Sequence, residues 1–227
     1  MHSPVTPDLQ AAFERERSDA SGRKPTDDAA GRAQTVRMYG RLADLQADVI
    51  AQRNVKVACE RGCNYCCHLR VEIRPHEAFV LARHIQSRFS AQRQVQVLAR
   101  LEATLRRIAP LSAAQHIRAG IPCALLDDGA CSAYEGRPAT CRKYYSVSVA
   151  TCRDAFKDPA APLTGELEDE QVRLTGNAVA LGYAKGLEDA GYDTTLYELH
   201  FALYKALTDP KTGKRYRQRK KAFVGAD

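Results

Sequence analysis

The sequence predicts a mainly α protein, with five to six helices around a small irregular cysteine-rich lobe that contains at most a short β-hairpin. Apolar residues recur every three or four positions along several polar segments, which is typical of amphipathic helices. The eight cysteines fall in two groups, and around the second group the helical period is lost. A chain of 227 residues is long enough to bury a core without disulfides.

The predicted helices follow one another along the chain and end at recognisable breakers. Pro75 suits the first turn of a helix, Ser90 is a good N-cap, and Pro110 ends the helix that follows Ser90. Gly182 and Gly186 weaken the regularity of a later helix but allow another backbone to approach closely. The six predicted helices of the body cover residues 32–52, 75–85, 90–109, 112–119, 170–190 and from 194 or 195 to about 208, and a short helix at 9–17 is expected before them.

Composition divides the chain into three parts. Residues 1–30 are polar and contain prolines and many charges, so we expect a mobile arm with a short helix inside it. Residues 31–210 are predicted to form the cysteine-cluster domain. Residues 211–227 form a basic tail with seven basic residues and one acidic residue, so most of the net charge of +7 is local to the tail. Such a run is usually a solvated end, and nonspecific binding to nucleic-acid phosphates is the alternative.

The cysteines are spaced as metal ligands are. The first group reads C-x3-C-x2-C-C over residues 59–67, and the second includes C-x7-C over 123–131. Thiols two to four residues apart can converge on one ion from a single loop. Four thiolates complete one tetrahedral zinc site or one iron–sulfur cluster, and eight would serve two. Because neighbouring Cys66 and Cys67 point in different directions, we expect the two groups to interleave.

The expected compartment is the cytoplasm. No run of eighteen apolar residues exists, so no membrane span is expected, and the first ten residues lack the pattern of a secretory signal. Cytoplasmic thiols stay reduced, which favours metal or redox chemistry. The alternative is a secreted protein with four disulfides.

The cysteine pattern resembles that of the YkgJ-type cysteine-cluster family. The similar strings are C-x3-C-x2-C-C, then C-x7-C, then Y-E-x-R-P-x-x-C-R from Tyr134 to Arg142, and the resemblance covers about residues 55–155. Members are described as zinc- or iron-chelating, so the resemblance implies metal binding more strongly than an activity. The ligands it implies are Cys59, Cys63, Cys66, Cys67, Cys123, Cys131 and Cys141.

Further candidates come from the residues themselves. We add Cys152 as an eighth ligand, although a buried structural cysteine is the alternative there. His68 follows Cys67 directly and is a candidate to replace one thiol, the alternative being an exposed histidine or one bonded to the backbone. The cations Arg137, Arg142 and Arg153 lie beside the second group, where they would lower thiol pKa values or form salt bridges.

Three functions are compatible with this sequence. The first is a protein that holds zinc or iron, as single ions or an iron–sulfur cluster, through thiolates, with a metal that organises a surface for a protein partner. The second is an iron or iron–sulfur enzyme with an open coordination position. C-x3-C-x2-C also occurs in radical SAM enzymes, but this chain offers no series of strand–helix units. The third is an accessory protein that binds nucleic acid through the basic tail.

Overall fold

The computed structural model describes residues 8–22, 28–159 and 167–225, and this part of the chain is mainly helical. It contains ten α-helices and two sheets of two short strands each. The helices are α1 (Leu9–Gly22), α2 (Asp28–Arg53), α3 (Pro75–Arg88), α4 (Ala91–Ile108), α5 (Ala113–Arg118), α6 (Ala139–Arg142), α7 (Val149–Lys157), α8 (Glu170–Asp189), α9 (Leu199–Thr208) and α10 (Thr212–Arg217).

Several helices begin where the sequence predicts. Pro75 is the first residue of α3, and the Glu77 carboxylate accepts a hydrogen bond from the Arg74 backbone N–H at 2.9 Å. The Ser90 hydroxyl accepts from the Arg93 N–H at the start of α4. These local bonds satisfy N–H groups that have no partner inside the helix.

The prediction of five to six helices is too low. The helices α6 and α10 have four and six residues, which is too short for an apolar stripe to repeat. The prediction for the last long helix also starts too early. Glu198, rather than Thr194 or Thr195, caps α9 by accepting from the Phe201 N–H, and Leu196, which falls inside the predicted helix, precedes α9 and is 45% exposed.

The predicted hairpin is present. Strand β2 (Leu126–Asp127) pairs antiparallel with β3 (Ala130–Cys131), and Leu126 lies opposite Cys131. The two turn residues between the strands both have positive φ, 46° at Asp128 and 76° at Gly129, as tight hairpin turns require.

The prediction of at most one short hairpin is wrong, because a second pair of strands is present. Strand β1 (Glu72–Ile73) pairs antiparallel with β4 (Tyr197–Glu198). The two strands are far apart in sequence and only two residues long, so neither shows the alternation by which strands are predicted.

Two apolar cores meet beside the cysteines. The first lies between α2, α3 and α8 and includes Met38, Leu42 and Tyr183. The second lies between α3, α4 and α9 and includes Leu101 and Leu203. Cys123 packs against both cores, so the segment that carries the second cysteine group is fixed where they join.

The N-terminal segment contributes a packed helix. Within the predicted arm, α1 lies against α8 so closely that a Cβ atom added at Gly182 or Gly186 would meet the backbone carbonyls of Phe13 and Arg17. The sequence therefore indicated correctly that these glycines allow another backbone to approach. Residues 1–7 and 23–27 of the predicted arm lie outside the described residues.

The tail also packs against the body. Tyr216 of α10 and Phe223 are 8% and 1% exposed and belong to the first core. Three arginines of the tail have acceptors within the chain: Arg215 bonds to Asp209, Arg217 to Asp28, and Arg219 to the Ala190 carbonyl. The division of the chain at residues 30 and 210 remains a prediction.

No helix in the described ranges combines the length and the apolar character needed to cross a membrane.

Candidate metal centre

The first cysteine group lies in the loop between α2 and β1. Gly62 has a φ of +103°, a conformation that side chains strongly disfavour, and it turns the chain back between Cys59 and Cys63. A 3₁₀ turn over Tyr65–His68 then places Cys66 and Cys67 on successive positions of a tight helix. The loop is fixed at its start by the Ala58 N–H, which donates to the Ser146 carbonyl at 2.7 Å.

Backbone hydrogen bonds join the second cysteine group to the first. The Cys123 N–H donates to the Cys67 carbonyl at 2.8 Å. The Asn64 side chain donates to the Gly129 carbonyl at 3.0 Å, which ties the hairpin turn to the first loop. The segment that follows Cys131 of the hairpin then leads to Cys141 on the short helix α6.

Six of the eight cysteines line one small cavity of about 70 Å³. We call it the thiol cavity. It brings together thiols from both groups, so the two groups interleave as the sequence predicts. The cysteines that line it are Cys63, Cys66, Cys67, Cys123, Cys131 and Cys141.

Cys59 and Cys152 meet at a different point. The buried Ser146 donates its backbone N–H to the Cys59 sulfur at 3.0 Å, and the Cys152 thiol donates to the Ser146 hydroxyl at 3.0 Å. Cys66 connects this pair to the thiol cavity, because Cys66 and Cys152 also line a neighbouring cavity of about 260 Å³. The eight thiols therefore form a group of six and a group of two, with Cys66 between them.

The thiols are suitable metal ligands by their chemistry, but their side chains are not arranged as a complete metal site. All eight are free and partly buried. Over residues 8–22, 28–159 and 167–225, no three or more Cys, His, Asp or Glu side chains are arranged as a ready-made metal site. Soft thiolates are the preferred ligands of zinc and of iron–sulfur clusters. The side chains that line the thiol cavity would have to change position to bind a metal.

Four of these thiols have a raised pKa, which disfavours their thiolate form. Burial raises the pKa of the Cys59, Cys131 and Cys141 thiols, and neighbouring cysteines raise each of them further. At Cys66 the hydrogen bond with Cys67 is the largest cause of the raised pKa, followed by burial. A bound cation removes this penalty, because coordinating thiols lose their protons to the metal.

The three predicted cations behave differently. Arg137 lines the thiol cavity, and its charge offsets part of the rise in pKa that burial and neighbouring cysteines cause at Cys66, Cys131 and Cys141. Arg142 instead stacks on Tyr39 and donates to the Arg137 carbonyl at 2.6 Å. Arg153 forms an exposed ion pair with Asp154, which agrees with the salt-bridge alternative.

His68 lies outside the thiol cavity. Its ring packs on Phe156 at 4.6 Å, and its Nδ1 atom is 3.2 Å from the Asn64 carbonyl. The ring lines the neighbouring cavity with Cys66 and Cys152. The structure thus places His68 beside the cluster and separates it from most of the thiols.

His200 is a site residue that the sequence analysis missed. It lines the thiol cavity from the start of α9, as Cys123 does from the other segment, and the two side chains interact electrostatically. Its Nδ1 atom is 2.6 Å from the Glu198 carboxylate, while Nε2 accepts from the Ala124 N–H at 3.2 Å. Burial lowers the pKa of His200, whereas its contacts with Cys123 and Glu198 raise it above the ordinary value, and Nε2 accepts from the Ala124 N–H only while the ring is neutral. No motif signals this residue, since it lies 76 positions from Ala124.

The fold and the site define a helical protein in which a helix-bounded lobe gathers cysteines from two segments. Residues 58–159 match the model of the CxxCxxCC family, which is described as a putative zinc- or iron-chelating domain. The matched segment contains all eight cysteines, and the match confirms the resemblance seen in the sequence over these residues. No curated protein and no solved structure matches the chain significantly.

Proposed function

We propose that this protein binds zinc or iron through the thiolates of its eight cysteines, with the thiol cavity as the principal site. The observation that carries the proposal is the convergence of six cysteines from two separate segments on one cavity of about 70 Å³. Buried thiols that are raised in pKa by one another gain most from a cation among them. The description of the matching family as zinc- or iron-chelating supports the same function.

The proposed ligands act at two levels. The cysteines of the thiol cavity would provide the main set, and Cys59 with Cys152 would complete a second set around Cys66. Arg137 offsets part of the negative charge that the thiolates bring, since it lines the cavity. A bound zinc ion would hold the loop, the hairpin and α6 together, whereas an iron–sulfur cluster would supply one-electron redox chemistry.

The test begins with anaerobic purification of the full chain without a metal-affinity tag. Metal analysis, acid-labile sulfide analysis and an optical spectrum are then measured on the same sample. The expected result is about one or two zinc ions per chain without sulfide, or iron with sulfide and a brown colour. A metal-free protein with its thiols oxidised in pairs would contradict the proposal.

Variants connect the metal to the thiol cavity. Cys141→Ser should lower the metal content, because Cys141 lines the cavity and belongs to the proposed set. Ser90→Ala is the control, because it removes the N-cap of α4, which does not line the thiol cavity. It should lower stability without changing the metal content. Equal metal content in Cys141→Ser, Ser90→Ala and wild type would exclude the thiol cavity as the site.

A redox or modification enzyme is the second candidate. The neighbouring cavity of about 260 Å³ favours it, because a small molecule held there would lie against Cys66 and Cys152. In iron-loaded protein, added azide should change the electron paramagnetic resonance spectrum if a coordination position is open. An unchanged spectrum would favour a closed site with a structural or storage role.

A further inference from the structure

A separate cavity of about 210 Å³ lies between α2, α3, α8 and α10. It shares no lining residue with the thiol cavity. Its volume is below the range of roughly 300–1,000 Å³ typical of sites for drug-sized ligands. A ligand that fills it would therefore be a small molecule.

Two buried side chains that line this cavity each have a polar atom with no hydrogen-bond partner among the described residues. His76 and Tyr216 both line it and are 6% and 8% exposed. The Nδ1 atom of His76 and the hydroxyl of Tyr216 have no hydrogen-bond partner in the part of the chain that the structure describes. Buried polar atoms are almost always hydrogen-bonded, so these two atoms indicate a missing ligand group.

Aromatic rings form the walls. The His76 ring meets Tyr183 edge-on at 5.3 Å, and Tyr216 contacts Phe79 at 5.4 Å and Tyr192 at 5.1 Å. Flat apolar walls with few polar groups favour a planar ligand body, because rings stack on or against one another.

The charges that line the cavity favour an anion. Asp28 and Asp209 are engaged by Arg217 and Arg215. Arg32 and Arg83 also line the cavity, and neither forms an ion pair within the described residues. Guanidinium groups bind carboxylates with paired hydrogen bonds, so an acidic group is expected at this side.

We propose that this cavity binds a small aromatic carboxylic acid that carries a hydrogen-bonding group on the ring. Arg32 and Arg83 receive the carboxylate, and the ring packs among the aromatic walls. His76 and Tyr216 bond to the substituent. This site is independent of the metal, so it stands or falls separately from the proposed function.

The experiment uses the full chain as purified, with 4-hydroxybenzoate as the probe in a ligand-observed NMR titration. Saturable binding is the expected result. Benzoate lacks the hydroxyl, and 4-hydroxybenzyl alcohol lacks the carboxylate. Each should bind at least about 10-fold more weakly than 4-hydroxybenzoate. No saturable binding of 4-hydroxybenzoate up to about 10 mM would overturn the proposal.

Variants place the ligand in this cavity. Arg83→Ala changes an exposed residue and should weaken binding by about 10-fold or more, whereas Arg88→Ala, on the same helix but outside the cavity, should leave it unchanged. Tyr216→Phe keeps the ring and removes the hydroxyl, so it should weaken 4-hydroxybenzoate more than benzoate. Equal affinity in Arg83→Ala, Arg88→Ala and wild type would overturn the proposal. This comparison holds even if Tyr216→Phe, which changes a buried residue, does not fold.

Discussion

His200 reaches the thiol cavity from outside the matched domain of residues 58–159. Its Nδ1 atom bonds to Glu198, which fixes the orientation of the ring, and its other side faces Cys123. Carboxylate–histidine pairs of this kind orient the groups that bind metals in many proteins. At the residue scale, the candidate site therefore includes the His200–Glu198 pair in addition to its cysteines.

His200→Gln should lower metal affinity by about 10- to 100-fold, the usual effect of losing an orienting partner near a metal. Affinity is measured by competition with a chromophoric chelator. His116→Gln is the matched control, because His116 is 2% exposed and close to His200 but does not line the thiol cavity. Equal losses in both variants would show a general effect on stability instead of a role at the site.

His76 predicts a pH dependence of stability. Burial, with a further contribution from Arg74, lowers the pKa of His76 from 6.5 to about 3. The folded protein keeps this ring neutral where the unfolded chain protonates it, so its contribution is present above pH 6.5 and is lost as the pH falls toward 3.

From pH 7.5 to pH 5, wild type should lose about 2 kcal/mol more unfolding free energy than His76→Leu, at about 1.4 kcal/mol per pH unit below the unfolded pKa. Urea unfolding of both proteins at the two pH values measures the difference. If both lose the same free energy, the His76 ring is not held neutral in the folded protein.

The candidate site was partly predictable at the residue scale. Cys59, Cys63 and Cys66 stand close together in sequence, so their shared loop follows from spacing alone. Ser146 and His200 reach the cysteines only through the packing of separate segments. No local sequence pattern predicts such contacts, because they join residues that are far apart in the chain.

The contact between α1 and α8 depends on two glycines. In α8, a Cβ at Gly182 or Gly186 would lie closer than 3.0 Å to backbone atoms of α1. Backbone cannot move aside as a flexible side chain does, so close packing of the two helices requires glycine at both positions. At the element scale, these glycines therefore fix where α1 binds.

Gly186→Ala should destabilise the protein by about 1–3 kcal/mol, because the added methyl group meets the Arg17 carbonyl and separates the helices. Gly40→Ala is the control on α2, where nothing lies within 4 Å of the added Cβ. It should stabilise by about 0.5–1 kcal/mol through helix propensity alone. Chemical denaturation measures both, and a stabilising Gly186→Ala would contradict the close contact.

Elements with a long apolar period were predictable, and short ones were not. The apolar period over residues 32–52 predicts most of α2, although Val36 within it is 52% exposed, and the cap at Ser90 predicts the start of α4. The four residues of α6 and the two-residue strands β1 and β4 are held by contacts across the chain. Their sequences contain too few positions to show a period.

The matched domain is enclosed by the segments that precede and follow it. Helices α2 and α8 contribute to the first core, and the C-terminal segment adds Tyr216 and Phe223. Phe223 packs edge-on against Tyr197 of β4 at 5.1 Å, next to Glu198 and close to His200. At the scale of the whole molecule, the basic tail is therefore connected by packing to the element that carries the orienting histidine.

The charge of the tail, read from composition, suggested a solvated end or a nucleic-acid contact, whereas its apolar residues determine where it lies. Phe223→Ala should destabilise the protein by about 3–5 kcal/mol, because it empties a site that is 1% exposed. Val224→Ala is the control at the next position, where the side chain is 52% exposed, and it should change stability by less than about 0.5 kcal/mol.

Urea unfolding of both variants and wild type measures these effects. Replacing Lys214, Lys220 and Lys221 by glutamine tests the charge separately, and it should leave stability nearly unchanged because all three side chains are exposed. If Phe223→Ala lowers the unfolding free energy no more than Val224→Ala does, the tail is a solvated appendage. Its basic residues would then be its important feature, and nucleic-acid binding by the lysine variant would be the next comparison.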